Sequence, residues 1–222
     1  QTCALPICKG AIKGVIRKTS SPHFNMDFDI INGSFNLKEN PFNLTSVSIS
    51  GNIDNGETNN FENTIIKVEK FIAKTGGGTL TASFRVSNLN NYYLTADITS
   101  NLNLAEINHQ LKSTPFFNMK GRLIARTKYN GFLSFSEKMK DNFLSSIHQS
   151  DLQLNDVEFQ YKTSPLLFGI PTMKCQIDGN KIIVENSEIN ISDTDIKFDG
   201  TITNFIPYLL TAAPKIVVEG NM

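Results

Sequence analysis

The sequence predicts an all-β fold, mainly antiparallel, made of two tandem similar units with one short helix between them. Three observations carry that prediction. Apolar and polar residues alternate over strand-length runs, as in Phe24, Met26, Phe28 and Ile30 against Asn25, Asp27 and Asp29. A period of two puts one set on a sheltered face and the other in water. Turns rich in Asn and Gly punctuate the runs. Finally, the glycine turn and paired strands of Thr75–Leu104 return near the C-terminus as the stretch from Ile191 to Gly220.

Composition sets outer limits. A chain of 222 residues can bury a real core, as one large β-domain or two small ones. Its 40% hydrophobic and 19% charged content excludes disorder. With 21 basic and 21 acidic residues the formal net charge is zero, which argues against nucleic acid as a partner. There is no Trp, but 16 Phe, so the apolar surface is aliphatic and phenyl. Gln1–Ile7 reads as the translation of a sequencing-library adapter, so coding sequence is expected to begin at about Cys8 and to extend upstream in the natural protein. Cys175 is then the only secure cysteine, too few for a disulfide framework or a metal cluster. No run of about twenty apolar residues exists to span a membrane.

The elements follow in order. Gly10–Arg17 reads as a short strand, and His23 onward as a half-buried one. Asn32-Gly33 predicts a hairpin turn, with Ser34-Phe35-Asn36-Leu37 starting the return strand. Asn40-Pro41 ends it, Leu44, Val47, Ile49 and Ile53 carry the next strand, and Asp54-Asn55-Gly56 turns again. Ile65–Ala73 leads into the strand of Leu80, Ala82, Phe84 and Val86, then that of Leu94, Ala96 and Ile98. Between the units, Ser134-Phe135-Ser136-Glu137 fits a capping box, followed at helical spacing by Met139, Phe143, Leu144 and Ile147. A shorter helical turn is expected at Leu104–Leu111.

Late residues echo early ones at constant offsets. Ile196, Phe198, Ile202 and Asn204 match Leu80, Ala82, Val86 and Asn88 at 116 residues. Phe159, Tyr161, Met173 and Ile177 match Phe35, Leu37, Ile49 and Ile53 at 124, which places about eight extra residues in the loop Glu57–Thr64. The chain thus divides into 1–8 (the adapter scar), 9–113 (first β-unit), 114–150 (connector with the amphipathic helix) and 151–222 (second β-unit, cut off at its C-terminus).

No residue cluster points to an enzyme. His23, His109 and His148 are scattered, with no second histidine, cysteine or carboxylate at metal-ligand spacing. Cys175 lies in an alternating run and reads as a small buried apolar residue. Gly76-Gly77-Gly78 lacks the following Lys-Ser/Thr of a phosphate loop and opens a strand, so it reads as a turn. Asp27/Asp29 and Asp193/Asp195 share a strand face at i, i+2 and read as a solvated surface. No catalytic residue, metal or cofactor is expected.

The order of strand, turn and strand from Phe28, then "SVSISGNIDNG", then "FIAKTGGGTLTASFRVSNLNNYYLTADITSNLNLAEI", resembles the C-terminal region of AsmA-like proteins, a family similar to TamB and the repeating β-groove proteins. Thr79–Leu104 fits its glycine-led strand, Asn-Leu, Tyr and closing Leu-x-Leu, and Ile196–Val218 fits again. The resemblance covers about Pro22 to Met222. It implies an elongated, twisted sheet curled into an apolar groove, in the periplasm of a diderm bacterium and held at the inner membrane by an N-terminal anchor absent here. It further implies phospholipid or another acyl lipid as ligand and a role in outer-membrane biogenesis or inter-membrane lipid transport. The expected lining is Phe24, Met26, Phe28, Ile30, Leu80, Phe84, Val86, Ile196, Phe198 and Ile202. Each of these fits an ordinary closed core equally well. The competing expectation is a closed β-sandwich serving as a cell-surface adhesion or carbohydrate-binding module, which the absence of Trp disfavours for sugars.

Overall fold

The computed structural model describes residues 7–13, 22–36, 43–108, 116–134, 139–210 and 215–221. Its strands are β1 (Ile7–Lys13), β2 (His23–Asn36), β3 (Asn43–Asp54), β4 (Ile65–Lys74), β5 (Thr79–Ser87), β6 (Tyr93–Asn103), β7 (Phe116–Phe132), β8 (Ile147–Tyr161), β9 (Leu167–Asp178), β10 (Lys181–Ile191), β11 (Thr194–Thr203) and β12 (Val217–Asn221). Three short helices are α1 (Leu104–Ile107), α2 (Met139–Ser145) and α3 (Phe205–Leu210). The strands form one antiparallel sheet in which spatial order is chain order, with β1 and β12 at the edges.

Among the described residues, no strand packs substantially on any but its sheet neighbours. The closed sandwich is therefore corrected: there is one open sheet and no second layer. Accessible surface agrees, at 14571 Å², where a compact monomer of 222 residues exposes roughly 10,000 Å². The molecule is elongated.

The Asn32-Gly33 hairpin is also corrected. β2 runs unbroken through both residues to Asn36. Asn32 takes φ +55°, and the register against β3 slips between Ile30 and Gly33. Left-handed Asn serves a bulge as readily as a turn. The residues predicted as the return strand instead continue β2 as far as Asn36, while Leu37 and the Asn40-Pro41 break lie outside the described residues.

The two units share one register. Asn25 stands opposite Asp54 and Gln149 opposite Asp178, both partners advanced by 124. Ile65 stands opposite Ser87 and Lys181 opposite Thr203, both advanced by 116. The bulge between Val68 and Phe71 recurs between Val184 and Ser187. Left-handed Asn32 and Asn88 recur as Asp156 and Asn204. The β3–β4 connection is ten residues long (55–64) and the β9–β10 connection two (179–180), which is the eight-residue difference expected. The second copy of this pattern begins on β8, so residue 150 falls inside a strand rather than at a break.

α1 folds back over one end of the sheet. Its cap is Asn103, whose Oδ1 accepts from the Ala105 N–H at 3.0 Å. Leu104, 3% exposed, joins Val157 and Ile170 in a cluster of buried apolar residues, flanked by Met119, Leu123, Leu154, Phe159, Met173 and Ile189. The helix is shorter than the expected Leu104–Leu111, and 109–115 lie outside the described residues. At the opposite end, Phe143 of α2 stacks on His148 (4.6 Å) and Tyr129 (6.2 Å). The expected capping box of α2 lies mostly outside the described residues, at 135–138.

Candidate functional site

Register shows which side chains share a face, because directly paired residues point the same way. One row can be followed strand by strand: Ile30, Ile49, Phe71, Ala82 and Ile98 on β2 to β6. It continues through Thr127, Ser150, Ile177, Ile182, Ile202 and Val218 on β7 to β12. A second row runs Met26, Ile53, Ile66, Val86, Leu94. The opposite face carries the polar set, such as Lys67, Arg85, Thr95 and Asn130 in one row.

The apolar face is the inner one. Val68 is 4% exposed while its neighbours Lys67 and Glu69 are exposed. Val184 is likewise buried beside exposed Glu185. No layer covers these valines, so curvature of the sheet must shelter them. The shelter is partial: no large side chain among the described residues is fully buried.

All ten expected lining residues fall on this face, and all ten are half-buried. They are not one compact cluster. Phe24, Met26, Phe28 and Ile30 lie on β2, Leu80, Phe84 and Val86 on β5, and Ile196, Phe198 and Ile202 on β11. β2 and β11 stand nine strands apart, roughly 43 Å along an uncurled sheet at ~4.8 Å per strand. The lining between them was not anticipated and includes Val68, Ile98, Leu123, Leu152, Met173 and Val184. The signal was present in Leu152-x-Leu154 and in Met173-x-Cys175-x-Ile177, which alternate as clearly as β2 does.

Glycines let rings lie flat along this face. A Cβ on Gly51 would meet Phe28 Cζ at 2.7 Å, and one on Gly200 would meet Phe198 Cζ at 2.8 Å. The rings cover bare backbone and keep the surface low and continuous. An aromatic run, Phe116, Phe159 and Phe168 with centroids 5.4 and 5.2 Å apart, lines the end near α1.

The polar residues considered for chemistry serve structure. His148 is buried, with Nε2 3.0 Å from the Gly179 carbonyl and Nδ1 3.2 Å from Ser146 Oγ, so both ring nitrogens are engaged. His23 Nε2 lies 3.1 Å from Asp54 Oδ1, a pairing the sequence spacing did not reveal. His109 lies outside the described residues. Burial pushes the Cys175 thiol up, which keeps it protonated and unreactive. Asp27 accepts from Asn52 Nδ2 at 2.7 Å on the polar face, and Asp193 and Asp195 are exposed. No group of three metal-ligating side chains occurs among the described residues. A hollow of about 730 Å³ on the polar face is lined by Lys67, Arg85 and Lys128 but also Glu69 and Asp97, so its charge is mixed.

Asp54 ties off the β2–β3 end. The Gly56 N–H and His23 hold its carboxyl below the usual carboxylate range, and Asn25 Nδ2 donates at 2.7 Å. A depressed folded-state value stabilises above the unfolded value and is lost as pH falls through the folded one. Asp54→Asn is therefore expected to lower stability at neutral pH, the deficit shrinking as pH falls below the ordinary aspartate value and through the lowered folded one. Urea denaturation of both proteins across an acid pH series checks this.

No family model matches the chain, and no curated protein or solved structure is detectably similar to it. No helix among the described residues is long and apolar enough to cross a membrane.

Proposed function

We propose that this chain is a lipid-binding segment of an AsmA-like envelope protein, holding acyl chains along the apolar face of its curled sheet. The single observation that supports this best is the largely apolar face from β2 to β11, interrupted by polar side chains such as Thr127 and Ser150 and covered by no second layer among the described residues. Contiguous apolar surface left open on a soluble body marks a binding site. Each methylene removed from water contributes about 0.8 kcal/mol, so ten stabilise a bound chain by roughly 8 kcal/mol. That offsets much of the cost of leaving a bilayer. Function then needs no catalytic residue, metal or cofactor: the ligand is phospholipid or another acyl lipid and the activity is carriage. The periplasm, an inner-membrane anchor elsewhere in the protein, and outer-membrane biogenesis or inter-membrane lipid transport belong to the same proposal. They are supported by the pattern of Thr79–Leu104 and its echo at Ile196–Val218.

Native mass spectrometry of the chain purified from bacterial membranes tests the proposal. Mass increments of phospholipid are expected on the wild type. Phe28→Asp with Phe84→Asp should reduce the lipid-bound fraction at least tenfold, about 1.4 kcal/mol or more, with the fold retained by circular dichroism. A wild type that is always lipid-free contradicts it.

A further inference from the structure

Two hydroxyls interrupt the apolar face. Thr127 on β7 and Ser150 on β8 stand directly opposite each other, flanked in the same row by Ile98 on β6 and Ile177 on β9. Side chains of a directly paired row share a face, so both hydroxyls lie among the apolar lining rather than on the wet side. Both residues are half-buried.

The repeat does not require a hydroxyl there. Advancing Met26 by 124 gives Ser150, and Met26 stands opposite Ile53 as Ser150 stands opposite Ile177. The first unit fills the same place in the same strand pairing with methionine, so the architecture accepts an apolar side chain at this point.

Proton counting leaves the pair incomplete. Thr127 Oγ1 and Ser150 Oγ lie 2.9 Å apart, one hydroxyl donating to the other. Two hydroxyls carry two protons, and that bond uses one. The second proton meets no acceptor among the described residues. Ser100, diagonal to Thr127 across β6 and β7, is 8% exposed, and its hydroxyl also has no partner among the described residues. An acyl chain laid over these donors would strip their water and return no hydrogen bond, at the full desolvation cost of each. A ligand that sets a carbonyl oxygen there satisfies them. The same-face neighbours Ile98, Ala125, Leu152 and Ile177 bring no cation. A neutral ester carbonyl therefore suits the site better than a carboxylate, whose charge would be buried unpaired.

We propose that Thr127, Ser150 and Ser100 hydrogen-bond the ester carbonyls of a diacyl lipid, so that the face selects ester-linked lipids over chains without a carbonyl. This rests on the lipid-binding reading above and adds where the ligand sits: its ester region lies over β6 to β8, its acyl chains on the flanking apolar rows.

A competition between two lipids tests the selectivity. Equimolar dioleoyl phosphatidylglycerol and its dioleyl diether analogue, which lacks only the carbonyl oxygens, are offered to the chain in detergent micelles. Native mass spectrometry reads which is bound. The wild type should favour the ester lipid by about two- to ten-fold, the range expected for one hydrogen bond. Thr127→Val with Ser150→Ala should show no preference and bind the diether at least as well as the wild type does. Ser100→Ala should reduce the preference part-way. Equal binding of the two lipids by the wild type overturns the selectivity and leaves the open groove standing, and that arm depends on no variant folding. A preference unchanged in the double variant overturns the assignment to these hydroxyls. Binding of neither lipid by the wild type overturns both the selectivity and the groove.

Discussion

Leu104→Ala is expected to be among the most damaging single substitutions in the chain, at about 3 kcal/mol within the ~2–5 range for buried leucines. Leu104 is 3% exposed and clusters with Val157 and Ile170, and the half-buried side chains packed on that cluster come from β7, β8, β9 and β10. It stands at the start of a four-residue helix that packs on β7. Truncation leaves a cavity that rigid strands cannot collapse around. The melting temperature should fall by roughly 6–12 °C for a domain of this size. Leu80→Ala on the open face provides the contrast. Leu80 is half-buried, so its loss should cost only about 1 kcal/mol. Calorimetry of both variants checks the difference. Equal costs would mean that the trough is as closed at Leu80 as at Leu104.

Gly121→Ala is expected to cost about 3 kcal/mol or more. Gly121 has φ +99°, a conformation almost reserved for glycine. A Cβ there would stand 2.4 Å from the Asp156 carbonyl oxygen and 2.6 Å from Val157 Cα. Both are backbone atoms of β8 and cannot swing away. The site is where the β7–β8 ladder shifts register on either side of Lys120, so relief of the clash requires parting the strands. Gly179→Ala is the control, since its φ is also positive, at +53°, but a Cβ there meets nothing within 4 Å. It should cost only about 1 kcal/mol. Urea denaturation of the pair separates steric clash from backbone preference. Equal losses would place the whole cost in the dihedral angle and remove the close approach from the account.

Much of this architecture is legible in the sequence. The alternation of Phe24, Met26, Phe28 and Ile30 predicts both the strand and the face it presents. The offsets of 116 and 124 predict the duplication, because an insertion between two copies changes the offset by its own length. What sequence could not separate were states with the same local chemistry. Asn32-Gly33 supplies a left-handed residue, which a hairpin and a bulge need alike. Only the register with β3 decides between them. Alternating apolar residues suit a sandwich core and an open trough equally, and what decides is whether a second layer exists. That is a property of the whole sheet rather than of any segment. The Leu104, Val157 and Ile170 cluster was hidden for a related reason. Its members are far apart in sequence and meet only once α1 folds across β7.

Phe84 and Arg85 give the most direct test of an open lipid-bearing face. They are adjacent on β5, Phe84 on the apolar face and Arg85 exposed on the polar one. A photoreactive phenylalanine analogue placed at each position in turn, in cells whose phospholipids carry a mass label, asks which face meets lipid. Labelled phospholipid should be captured at position 84 and not at position 85, with Phe28 and Asp27 repeating the contrast on β2. Capture at 85 equal to that at 84, or none at 84, would contradict an open groove filled by acyl chains.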